Sequence, residues 1–132
     1  MNQPLFYFEG RCRLDGNVLT LPKKVVDDHA SQLLFMHLLQ CKERIGNKDY
    51  RFLRACTSDD ASYRRTRKRT ALAVSLDSMD ILLSPEHVAF AGLRDRAAYV
   101  GCGESFELWN PEMYRDYEER YLPRYHTLRI VW

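Results

Sequence analysis

The sequence predicts an α+β fold, mainly β, in which one strand–helix–hairpin unit is written twice and closes a single barrel with short peripheral helices. Three observations carry this. Apolar residues alternate in short runs bounded by turn residues, as they do where β side chains point to opposite faces in turn. Prolines that follow short strands, Pro22 and Pro85, open brief helices. The order turn, strand, proline, helix, hairpin then runs once through residues 1–70 and again through 71–132.

The second unit is the clearer one. Asp77 opens a turn, Ile81 to Leu83 form a short apolar strand, and Ser84 with Pro85 supplies the cap and first-turn proline of a helix that Gly92 ends. Ala97 to Val100 is then a strand, Gly101-Cys102-Gly103 a tight turn, and Ser105 to Trp109 the returning strand. Phe106, Leu108 and Trp109 are expected in the core.

In the first unit Leu5 to Leu14 reads as a strand with Phe6, Phe8, Cys12 and Leu14 inward and Arg11 and Arg13 on the opposite face. Asp15-Gly16-Asn17 turns the chain into Val18 to Leu21, and Pro22 begins a helix through about His29. Leu33 to Leu39 is expected as an apolar strand and Tyr50 to Leu53 as its return, in the place that Phe106 to Trp109 hold in the second unit.

Residues 58–69 join the units and read as one helix. Ser58 caps it, aspartates fill its first turn, and Arg64, Arg65, Arg67, Lys68 and Arg69 crowd its end, all of which suit the helix dipole. After Trp109, Asn110 and Pro111 start another helix with Met113, Tyr114, Tyr117 and Tyr121 on one face, and Pro123 stops it. Tyr125 to Trp132 reads as a terminal strand, either tucked on its own domain or docked as an arm on a neighbouring subunit.

Composition narrows the classes. A chain of 132 residues, 45% apolar and 29% charged, suits one compact domain or two interlocked repeats. It contains no apolar run near the roughly 20 residues of a spanning helix. Met1-Asn2-Gln3-Pro4 lacks the basic and apolar regions of a secretory signal, so a cytoplasmic location is expected. Cys12, Cys41, Cys56 and Cys102 are scattered without a Cys-x-x-Cys pair, and the four histidines show no metal-ligand spacing. Gly101-Cys102-Gly103 is a hairpin turn, with Phe106 where a dinucleotide fingerprint needs its third glycine. Neither metal, cofactor nor catalytic residue is expected; turn and packing roles account for Asp77 and Cys102, the residues on which an enzyme reading would lean.

The Leu76-Asp77 start, Pro85 eight residues after Asp77, Ala91-Gly92-Leu93, Val100-Gly101 and Phe106-Glu107-Leu108-Trp109 together resemble the second repeat of the MraZ family, bacterial regulators made of two AbrB-like (SpoVT/AbrB) repeats. The resemblance implies two swapped-hairpin repeats forming one β-barrel, ring-shaped homo-oligomers without cofactor, and sequence-specific binding to short promoter repeats in DNA upstream of a cell-division and cell-wall gene cluster, hence a nucleoid-associated protein. The family's Asp-x-x-x-Arg signature would place an arginine at position 81 and near 19, where this chain has Ile81 and Leu19.

Charge points to where DNA would lie. The net charge is +2, but residues 1–70 carry +6 and residues 71–132 carry −4. Such a split fits either an anionic partner or head-to-tail subunit contacts. Carried over from the family, the DNA-facing residues are Arg11 and Arg13 on the first strand, then Lys23 and Lys24 at the first helix start; the densest basic run adds Arg64 and Arg65. The other reading is a diverged MraZ-like module that keeps the barrel and its protein contacts but no longer binds DNA.

Overall fold

The computed structural model describes residues 5–57, 69–75 and 77–120. Among them the chain is mainly β, with nine strands in one antiparallel sheet and three short helices. In chain order these are β1 (Glu9–Asp15), β2 (Val18–Thr20), α1 (Lys23–Leu33), β3 (His37–Ile45), β4 (Lys48–Cys56), β5 (Arg69–Ala71), β6 (Ala73–Val74), β7 (Ile81–Leu82), α2 (Pro85–Ala91), β8 (Arg96–Gly101), β9 (Phe106–Trp109) and α3 (Pro111–Arg120). The strand order is β5-β3-β4-β9-β8-β1-β2-β7-β6. The two outermost strands are consecutive in the chain, with Leu72 alone between them, so the sheet curls back on itself into a near-closed barrel. Closure pairs backbone groups that an open sheet would leave bare.

Local chemistry sets the elements. Asp15 pairs with Val18 and Ile45 with Lys48 across two-residue loops, whose first residues, Gly16 and Gly46, sit at φ +65°, a conformation that costs a side chain energy and glycine nothing. The Ser84 hydroxyl accepts the His87 N–H at 3.1 Å to start α2, and Gly92 ends it in the left-handed conformation. At α3 the Asn110 side-chain oxygen accepts the N–H groups of Glu112 and Met113 at 2.9 and 3.1 Å, while its Nδ2 donates to the Gly92 carbonyl at 2.6 Å. One asparagine therefore both caps α3 and ties it to the end of α2.

Three boundaries differ from expectation. α1 continues to Leu33, so Leu33 closes a helix and β3 begins only at His37. The reason is spacing: Val25, His29 and Leu33 recur every four residues and are all buried, so one packed face carries the helix a turn past His29. Regular pairing in β1 starts at Glu9; ahead of it Phe6 makes an isolated bridge to Gly103. The alternating run Thr70 to Leu76, expected as the first strand of the second unit, breaks at Leu72, because β5 pairs with β3 while β6 pairs with β7. Of the expected basic helix only Arg69 is described, and it belongs to β5; residues 58–68 and the terminal segment 121–132 lie outside the described residues.

The pairings recur when the two segments are exchanged. Glu9↔Val100, Gly10↔Tyr99 and Arg11↔Ala98 join β1 to β8, as Arg69↔Leu39, Thr70↔Leu38 and Ala71↔His37 join β5 to β3. Leu14↔Leu19 joins β1 to β2, as Val74↔Ile81 joins β6 to β7. On this register Arg54 and Glu107, which pair across β4 and β9, stand at the centre of the exchange. Leu53 to Cys56, rather than Tyr50 to Leu53, then match Phe106 to Trp109.

Two apolar clusters result. Phe6, Leu19, Leu33, Met36, Leu53, Ile81, Leu83, Phe106 and Leu108 fill the barrel. Outside it, beneath α3, Trp109 stacks on Phe52 with centroids 4.3 Å apart and meets Tyr114 and Tyr117 at 5.3 and 4.8 Å. β9 is thus buried on both faces, and Trp109, expected in the core, lies in this outer cluster. Glu107 enters it only with partners: its carboxylate accepts from Trp109 Nε1 at 2.9 Å and from the Arg54 guanidinium at 2.5 Å. Asp116 pins α3 to β4 by accepting from Lys48 Nζ at 2.7 Å and the Tyr50 hydroxyl at 2.6 Å. Among the described residues no helix is long and apolar enough to cross a membrane.

Candidate nucleic-acid interface

The outer face of β1 follows from its alternation. Cys12 and Leu14 are buried in the barrel, which turns Arg11 and Arg13 to solvent. Arg13 pairs in register with Arg96 of β8, so these two side chains share one face across the strands. Arg13 meets Asp15 at 3.7 Å in a fully solvated pair that adds little stability and leaves the guanidinium accessible.

Beside this row lies a hollow of about 330 Å³ where β1, the entry to β8 and the first two turns of α3 converge. Arg11, Arg94, Arg96 and Arg115 line it together with Asp95 and Glu112. All four arginines are exposed, and among the described residues none has a carboxylate within 4 Å. Behind Arg11 the wall turns acidic. Glu9 and Glu118 line a smaller hollow with Tyr114, and burial, then Glu9, lifts the Glu118 carboxyl above its ordinary range, while Arg11 pulls it back. Arg11 therefore stands at the border between an acidic and a basic surface.

The structure thus gathers two expected residues, Arg11 and Arg13, with three that the sequence did not single out: Arg94, Arg96 and Arg115. Lys23 and Lys24 are exposed in the first turn of α1, and neither lines the hollow. Arg64 and Arg65 lie outside the described residues. Leu19 and Ile81 pair across β2 and β7 and are completely buried. An arginine at either place would be swallowed by the barrel, so any DNA surface of this chain has to be made from other positions.

Among the described residues no three of histidine, cysteine, aspartate or glutamate cluster so as to hold a metal ion. Among the described residues no disulfide forms; Cys12 and Cys56 are buried and Cys102 is exposed at its turn. Compared with protein-family models the sequence matches none, and no curated protein matches it.

Proposed function

We propose that this chain is a DNA-binding transcriptional regulator of the MraZ type, made of two AbrB-like swapped-hairpin repeats and working without cofactor as a cytoplasmic, nucleoid-associated ring of identical subunits. The observation that carries the DNA reading is the exposed arginine row of Arg11, Arg13 and Arg96 on a β-ribbon whose other face is core. The exchange-related strand pairings support the double-repeat reading, since each segment completes its sheet with strands of the other. Arginines on a β-ribbon suit both backbone phosphates and guanine edges in a major groove. Each cation that meets a phosphate releases counterions, so one protomer with a few arginines binds weakly and a ring of them binds well.

The test is a titration of promoter-repeat duplex DNA at several salt concentrations with Arg11→Ala/Arg13→Ala. The expected result is weaker binding and a slope of log K against log salt reduced by about 1 for each phosphate no longer neutralised. An unchanged slope removes these residues from the interface.

A second reading, a MraZ-like interaction module without DNA binding, has its own support. Leu34 and Phe35, between α1 and β3, are 47% and 76% exposed, an apolar corner suited to protein contacts. Light scattering that finds a stable oligomer, combined with no salt-dependent duplex binding, selects this reading.

A further inference from the structure

The arginine-lined hollow has more charge than packing can explain. Four arginines, from β1, the start of β8 with the turn before it, and α3, line one space of about 330 Å³, against two carboxylates, Asp95 and Glu112, with no ion pair among these six. Like charges held together without partners repel, and an ordinary surface spreads or pairs them. The helix end contributes no hydrogen bonds here. Pro111 has no N–H, and the Glu112 and Met113 N–H groups are taken by Asn110, so the backbone at the start of α3 offers the hollow only its dipole.

We infer that this hollow is a phosphate-binding site, with Arg11, Arg94, Arg96 and Arg115 as its ligands. Guanidinium groups bind phosphate oxygens through paired N–H bonds, and the four arginines exceed the two carboxylates by two positive charges. A phosphate monoester dianion or two successive phosphodiesters of a nucleic-acid strand supply the matching negative charge. At about 330 Å³ the hollow has room for a diphosphate or for a phosphate with its sugar. Arg13, which does not line the hollow, belongs to the neighbouring face rather than to this site. The inference leans on the DNA reading only for the source of the phosphate.

Calorimetric titration of inorganic pyrophosphate into the full chain at low salt tests the site. The wild type binds, Arg94→Ala/Arg115→Ala binds at least about tenfold more weakly, and Lys42→Ala, at an exposed position on β3, binds as the wild type does. Because the substituted residues are exposed, circular dichroism and the melting temperature should stay close to wild type, which separates lost binding from lost folding. Absence of pyrophosphate binding, or equal affinity in the double variant, overturns the site. Adding duplex DNA identifies the source: displacement of pyrophosphate supports a strand phosphate in the hollow, and simultaneous binding supports a free phosphate compound there. A chain that takes pyrophosphate but no duplex keeps this site while the DNA reading falls.

Discussion

Two stretches of the barrel wall share one pattern of strand pairing and carry opposite chemistry. Where β1 runs beside β8, the outward positions hold Arg11, Arg13 and Arg96. At the matching register, where β5 and β6 run beside β3 and the turn before it, stand Ala71, Ala73 and Phe35, all exposed. The inward residues do not diverge in this way: Cys12 and Leu72, Leu19 and Ile81, Leu38 and Tyr99 are apolar or aromatic pairs, all buried. Strand pairing constrains only the face that is buried, so the solvent face of each stretch is free to differ. One is cationic and the other apolar.

The sharpest break of this comparison comes at the residue where the segments differ most in size. Trp109 matches Cys56, and Trp109→Ala should cost about 3 to 5 kcal/mol in denaturant unfolding, since it empties the cluster under α3. A midpoint that scarcely moves would show that β9 does not depend on its outer face.

Glu107→Ala comes next, at about 3 kcal/mol, because it removes the carboxylate that accepts from both the Arg54 guanidinium and Trp109 Nε1 beneath α3. If the centre tolerates exchange, Arg54→Glu/Glu107→Arg should recover part of that loss. Full recovery is not expected, since an arginine at 107 cannot accept from Trp109 Nε1.

The helices provide a smaller contrast with a pH readout. Val25 of α1 and His87 of α2 hold matching buried places four residues after Leu21 and Leu83, but only His87 can titrate. Its ring nitrogens meet Gln40 Nε2 at 3.1 Å and Thr70 Oγ1 at 3.0 Å, and burial lowers its pKa below the ordinary 6.5, with Glu86 opposing. The unfolded chain therefore takes up the proton first. Stability should be complete above about pH 6.5 and fall as pH drops below it. His87→Val should remove that dependence and cost about 1 kcal/mol through the polar groups it abandons. Asp116 gives a second, more acidic limb: Lys48 first and then the Tyr50 hydroxyl hold its carboxylate down to about 2, so its contribution fades between about pH 4 and 2. Asp116→Asn should flatten only that limb in an acid titration followed by circular dichroism.

The smallest change in stability carries the largest change in binding. Transplanting charge by Ala71→Arg/Ala73→Arg/Phe35→Arg should alter the unfolding free energy by about 0.5 kcal/mol or less, since all three sites are exposed. The same variant should steepen the salt dependence of duplex binding if position on the barrel is all the arginines need. An unaltered slope would show that the β1 face is special for its geometry, not only for its charge.

Much of the architecture was readable from local signals. Ser84, Pro85 and Gly92 bracket α2 as expected, Asp15-Gly16-Asn17 makes the first hairpin, and the alternation in β1 divides its faces correctly. The end of α1 was misread because Leu33-Leu34-Phe35-Met36 is uniformly apolar, which hides the change of period from four residues to two. The hollow was beyond reach for another reason. Arg11, Arg94, Arg96 and Arg115 are spread over most of the chain, and only the β1–β8 register and the docking of α3 bring them together. The nearest signal was the pair of arginines around Asp95, which on its own reads as a solvated loop.

The opposed signs at positions 54 and 107 have an evolutionary corollary. Two identical half-chains assembling about a dyad would set arginine against arginine, or glutamate against glutamate, across the middle of their shared sheet. In a single chain that prohibition is absent, because positions 54 and 107 vary independently. The Arg54–Glu107 contact is thus a bond available to a tandem polypeptide and denied to a symmetric dimer of either half.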